Sequence, residues 1–152
     1  MLLHFGVIDV PYAHTPPSRR KKKAVARITT TGDVAEILES SYHVMEHFWN
    51  IHQADVVAAL EGSLQGAIDS LIMGAPLSAS VFGSAESEIE DRFKRMLSER
   101  ELDVLGFPGI PTTAALRGVS HRHKRSRARR PARPSFVDTG LYQASFKAWV
   151  ET

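Results

Sequence analysis

Cysteine is absent from the 152 residues, which excludes a disulfide framework, any thiolate metal site and every cysteine nucleophile. No apolar run approaches the roughly 18 residues that cross a bilayer. The opening Met1-Leu2-Leu3-His4-Phe5-Gly6-Val7 has neither the basic flank nor the small-residue cleavage site of a signal peptide. Synthesis in the cytoplasm, with no membrane partner, is the resulting expectation. Gly-x-Ser-x-Gly does not occur, and Gly62, Gly66 and Gly74 stand at the wrong spacing for a phosphate loop, inside a helical pattern. No acid lies between Val104 and Val137, and no internal repeat is visible. Catalysis has no constellation of residues to rest on, so the chain reads as a non-enzyme without cofactor or resident metal.

What is present is charge, and it is segregated. The net charge of +2 hides fourteen acids against four bases (Arg92, Lys94, Arg95, Arg100) between Asp33 and Asp103. From Arg117 to Arg133 the balance inverts: Arg117, Arg122, Lys124, Arg125, Arg127, Arg129, Arg130 and Arg133 occur with two histidines and no acid. A second cluster, Arg19, Arg20, Lys21, Lys22 and Lys23, is followed by Arg27. Like charges at this density repel and resist burial. Segments 12–23 and 117–134 are therefore expected as exposed basic arms of a single domain, 1–152, each awaiting an anionic partner: nucleic acid, or an acidic helical face of a neighbouring copy.

Apolar and β-prone residues from Leu2 to Val10 predict a first strand, broken at Gly6 and stopped by Pro11, and Ala24 to Thr30 suits a second. Asp33-Val34-Ala35-Glu36 offers a capping-box helix start. From there Ile37, Leu38, Met45, Phe48, Trp49, His52 and Val56 fall three or four apart, and a second series runs through Val57, Leu60, Leu64, Ile68, Leu71 and Ile72. One helix from Val34 to Met73 is about 60 Å long, more than a small domain's width, so a bend or break is expected near Asn50 to Gln53. A shorter helix begins near Ser84 to Ser87 and runs toward Val104, acids early and bases late as the helix dipole prefers.

His43-Val44-Met45-Glu46-His47 places two imidazoles one helical turn apart beside a carboxylate, the spacing of the inverted zinc metalloproteases. Its context is poor: those enzymes need a further glutamate well downstream, where this chain is acid-free. Ordinary helix-surface histidines are the better reading, and His52 lies off the face that His43 and His47 share. Tyr42, Phe48 and Trp49, at helical spacing, read as core or subunit interface. Glu86, Glu88, Glu90 and Asp91 read as acids that complement a helix N-terminus. The basic tract has little aromatic interleaving, so phosphate contact suits it and base stacking does not.

The ending carries the most information. Asp138 and Thr139 are turn and cap types, and Gly140 tolerates a positive φ. Phe146, Ala148 and Val150 then alternate with Lys147, Trp149 and Glu151 in the period of a strand. The run Arg133-Pro134-Ser135-Phe136-Val137-Asp138-Thr139-Gly140-Leu141-Tyr142-Gln143-Ala144-Ser145-Phe146-Lys147-Ala148-Trp149-Val150 resembles the carboxyl end of the tail-completion, or neck, proteins of tailed bacteriophages. In that family a Thr-Gly turn precedes a short helical turn and a closing strand. The resemblance covers roughly the last fifth of the chain. It implies a virion structural protein of the head-to-tail connector, a homo-oligomeric ring around the DNA conduit with no catalytic residues to carry over. It further implies contacts with a portal or adaptor protein on one side and tail terminator or tail-tube proteins on the other.

The expected fold is α+β: a small, mainly antiparallel sheet packed against one long and one shorter helix, with extended basic loops or arms. Asp138, Thr139, Gly140, Leu141, Tyr142, Phe146 and Trp149 are the expected subunit-interface residues, together with the Arg117 to Arg133 arm, facing acids on the neighbour or double-stranded DNA in the lumen. Two other classes stay open: a basic-armed nucleic-acid-binding protein outside any particle, and a zinc hydrolase using His43, Glu46 and His47.

Overall fold

The computed structural model describes residues 1–12, 29–78, 80–118 and 131–151. The two ends of the chain pair with each other. Strand β1, Leu2–Val7, runs antiparallel to β2, Phe146–Glu151, in a register that sets Val7 opposite Phe146 and Leu2 opposite Glu151. The two-residue period then sorts the faces. Phe146 and Ala148 are buried, while Lys147, Trp149 and Glu151 are exposed, as the alternation predicts. On the outer face the His4 ring stacks on Trp149 with centroids 5.2 Å apart, and His4 Nε2 meets Glu151 at 3.0 Å.

Helix α1, Thr31–Tyr42, has its cap three residues before the expected one. Thr30 is the N-cap: its hydroxyl accepts from the Asp33 amide at 3.3 Å, and the Asp33 carboxylate accepts from the Thr30 amide at 3.1 Å. Both orphan donors are thus satisfied reciprocally. The buried Thr31 hydroxyl ties this start to the end of β1, donating to the Ile8 carbonyl and accepting from the Val10 amide. Of the expected second strand, residues 24–28 lie outside the described residues; Thr30 forms one antiparallel bridge with Pro11.

The helical run does break, but at His43 rather than between Asn50 and Gln53. His43 is left-handed at φ 50°, and helix α2, Val44–Ile72, continues unbroken for 29 residues, about 44 Å at ~1.5 Å per residue. Glu39 explains the position: its two carboxylate oxygens accept from the Met45 and Glu46 amides at 2.7 and 3.2 Å, satisfying the first donors of α2. Helix α3, Gly83–Ser98, stops short of the expected Val104. Arg100, left-handed at φ 63°, separates it from α4, Glu101–Leu105. Two further short helices, α5 (Thr113–Leu116) and α6 (Leu141–Ser145), complete six helices among the described residues, so the chain is mixed but mostly helical.

An aromatic centre joins sheet and helices. Phe93 of α3 stacks on Phe146 of β2 at 3.8 Å, and Phe48 of α2 stands edge-on to both, at 5.3 and 5.9 Å. Phe5 adds an edge to Phe48 from β1. Val44, Val56, Ile89, Met96, Leu97 and Leu102 close around them. No described helix is long and apolar enough to cross a membrane.

Candidate assembly surfaces

The carboxyl-terminal turn folds as its residues predict. Gly140 holds φ 76°, the Ala144 amide bonds the Gly140 carbonyl at 2.8 Å to make the single turn of α6, and the strand follows directly. A side chain at position 140 would meet nothing within 4 Å, so only the left-handed backbone calls for glycine there. Of the expected interface residues, Asp138, Thr139 and Trp149 are exposed, and Gly140 and Leu141 half-buried. Tyr142 and Phe146 sit at 3% and 0% exposure inside the subunit's own core, where they cannot meet a neighbour without unfolding the subunit. Among the described residues the Tyr142 hydroxyl has no hydrogen-bond partner, and burial first, then the Glu39 carboxylate and Tyr12, hold it protonated far above a phenol's usual range. Gln143 locks the turn onto α3 by donating to the Lys94 carbonyl and the Ser98 hydroxyl, both at 2.6 Å.

Of the basic tract, Arg117 and Arg133 lie within the described residues. Arg122, Lys124, Arg125, Arg127, Arg129 and Arg130 lie outside them, as do Arg19, Arg20, Lys21, Lys22 and Lys23. The tract's two flanks meet at one carbonyl, since Ala115 accepts from the amides of both Gly118 and Arg133 at 3.1 Å. Arg133 is part of the scaffold: its guanidinium donates to the Val137 carbonyl and pairs with Asp138 at 3.5 Å. A further stitch runs from Asp103 of α4, which accepts from the Ser135 amide, through the Ser135 hydroxyl to the Thr112 amide at the start of α5.

The histidines divide into two sets. His43 occupies the left-handed junction, with Nδ1 at 3.1 Å from Glu46, so it does not share a helix with His47. The His47 ring instead stacks on Phe107 at 3.6 Å. Glu39, His43 and Glu46 bring donor atoms within 4.8 Å of one another among the described residues, but Glu39 is spent on capping α2 and the group is open to water. His52 is different. It is 3% exposed; Nδ1 accepts from Arg92 Nε at 3.2 Å, and Nε2 faces the Glu101 carboxylate at 2.8 Å, off the line of a hydrogen bond. Asp55 closes the group, 3.3 Å from Arg92. This network clamps α2, α3 and α4 together. Beside it an open groove of about 360 Å³, lined by Asp55, Val56, Ala59, Glu88, Ile89 and Arg92, offers no nucleophile. Sequence periodicity places His52 on the inner face, midway between Phe48 and Val56; its charged partners, from other helices, leave no local signal.

Helix α2 outruns α3, and its Gly62, Ser63, Gly66 and Ser70 share a groove with Leu77, Ser78 and Val81 of the following loop. Ser63 bonds Ser84 and the Ala85 amide at the start of α3, and beyond that point α3 has ended. Residues of the second apolar series face outward on both sides of that contact. Val57, Leu64, Ile68 and Leu71 are 40, 48, 47 and 55% exposed, in one stripe flanked by the exposed acids Glu61 and Asp69. At the other end of α3, Val104 and Leu105 of α4 and Leu116 of α5 are likewise exposed. No family model matches this chain, and no curated protein or solved structure does either.

Proposed function

We propose that the chain is a virion structural subunit of a tailed-phage head-to-tail connector, a non-enzymatic neck or tail-completion protein that assembles into a homo-oligomeric ring around the DNA conduit. The observation that carries this reading is the ending: a left-handed Gly140, one helical turn and a closing strand, in the order its resemblance to the tail-completion proteins implies. An exposed apolar stripe supports it, because a subunit that leaves such a surface uncovered is suited to a partner. In the ring, one face meets a portal or adaptor and the other meets tail terminator or tail-tube proteins. The basic tract from Arg117 to Arg133 faces neighbouring carboxylates or the double-stranded DNA of the lumen.

Mass spectrometry of gradient-purified particles of the encoding phage tests the reading. Several copies per particle, in a fixed ratio to portal, is the expected result; absence from particles overturns it. Arg129→Glu with Arg130→Glu is expected to block assembly or DNA retention, and a normal particle yield from that double variant counts against a role for the arm. The density of the basic tract favours one second reading, a nucleic-acid-binding protein outside the particle. That reading requires the free monomer to bind duplex DNA with an affinity that falls steeply between low and physiological salt.

A further inference from the structure

His52 is the one buried histidine among the described residues, and three helices meet at its ring. Its partners place its hydrogen. Arg92 is permanently protonated and has no acceptor, so its Nε–H, 3.2 Å from His52 Nδ1, requires a bare nitrogen there. A neutral ring then carries its hydrogen on Nε2, the atom that faces Glu101 at 2.8 Å. Around the ring stand Asp55 from α2 itself, Arg92 from α3 and Glu101 from α4, with Glu88 and Arg95 further along the groove that Asp55 and Arg92 line. In the quartet of His52, Asp55, Arg92 and Glu101, two carboxylates face one guanidinium, so with a neutral ring the group is one positive charge short of balance.

We infer that His52 is a proton-operated switch at this junction, with two hydrogen-bonded arrangements of the same four side chains. In the first, the bare Nδ1 accepts from Arg92 and ties α2 to α3 through a buried bond. A proton taken up at Nδ1 turns that atom from acceptor into donor. Two N–H groups then face each other across 3.2 Å, and the bond to Arg92 is lost. Asp55 is placed to take both donors, its Oδ2 lying 3.4 Å from Nδ1 and 3.3 Å from Arg92 Nε, so the second arrangement needs only small turns of side chains. The Glu101 and Asp55 carboxylates favour the charged ring and the Arg92 guanidinium opposes it. Because the His52 side chain is 3% exposed and that of Asp55 60%, the hold of α3 on α2 passes from a buried nitrogen to a carboxylate in water, while the Nε2–Glu101 contact with α4 gains a full charge on the ring. Proton uptake thus loosens α2 from α3 and tightens it on α4. The device works inside one subunit and does not depend on the ring reading.

Side-chain nitrogen NMR of the isotope-labelled full chain, titrated over the pH range in which the fold persists, tests the switch. The His52 ring is identified by its contact with Phe48, 5.4 Å between centroids. At the alkaline end Nδ1 is expected bare and Nε2 protonated. On acidification both nitrogens are expected to carry hydrogen, and the Arg92 Nε–H resonance to move with the same midpoint. Asp55→Ala, at an exposed position, removes the second acceptor; it is expected to move the titration of the ring to lower pH and to leave the alkaline tautomer as it is. A neutral ring with its hydrogen on Nδ1, a ring that stays neutral until the chain unfolds, or an Arg92 resonance indifferent to protonation of the ring overturns the switch. So does an Asp55→Ala titration that coincides with that of the wild type.

Discussion

The two halves of α2 have similar apolar content and opposite fates. From Val44 to Ala59 the helix buries Val44, Phe48, His52 and Val56 at every fourth position, all at 3% exposure or less. From Leu64 to Ile72 it leaves Leu64, Ile68, Leu71 and Ile72 at 47 to 79%. The difference lies in what opposes the helix. Helix α3 has 16 residues, about 24 Å, against about 44 Å for α2, and it runs back from Ser63 toward the sheet. The first half is a core element; in the second, Gly62, Ser63, Gly66 and Ser70 share a groove with Leu77, Ser78 and Val81, while the apolar stripe stays open to solvent.

Substitution separates the halves most sharply. Phe48→Ala, in the middle of the aromatic cluster, is expected to cost about 3–5 kcal/mol in chemical denaturation, through lost transfer energy and a residual cavity. Ile68→Ala is expected to stay within about 0.5 kcal/mol. Equal destabilisation by the two would erase the distinction.

A smaller effect is expected at the clamp that fixes the covered half. Arg92→Ala leaves the buried His52 Nδ1 without its donor and Glu101 beside it without a cation, a loss of about 1–3 kcal/mol. A neutral result would mean that packing alone aligns α2 with α3. Gly140→Ala forces a non-glycine residue to φ 76° in open space. The expected loss is about 1 kcal/mol in the same denaturation series, and a stabilised variant would argue against the left-handed turn.

The least change is expected at Asp9, remote from both halves. Its carboxylate sits below the ordinary value because the Thr30 side chain and then the Gly32 amide hydrogen-bond its charged form. A lowered folded pKa gives stability that is present above the unfolded value and lost as pH falls through the folded one. Asp9→Asn should therefore slightly flatten the acid limb of a melting-temperature profile and leave the neutral region unchanged. A drop confined to neutral pH would contradict that sign.

The terminal strands were legible because Phe146 to Glu151 alternate strictly and tolerate only one register with a buried face. Both long helices were legible from their three-and-four spacing. The break at His43 was not, because it depends on Glu39 reaching forward to cap two amides, and no hydrophobic pattern marks such a contact. The α1 start was displaced because Thr30 and Asp33 are both capping types, and only the extended backbone of Thr30 decides between them. The His52 clamp joins residues 40 positions apart in the case of Arg92, beyond the reach of local pattern. Periodicity showed that Val57, Leu64, Ile68 and Leu71 share a stripe, but which face of α2 meets α3 is decided by tertiary packing.

Native mass spectrometry of the purified full chain, over a range of concentrations, tests the central claim most directly. The account predicts a closed oligomer of one fixed copy number, larger than a dimer, in exchange with monomer. A chain that remains monomeric at every concentration, or stops at a dimer, would contradict it.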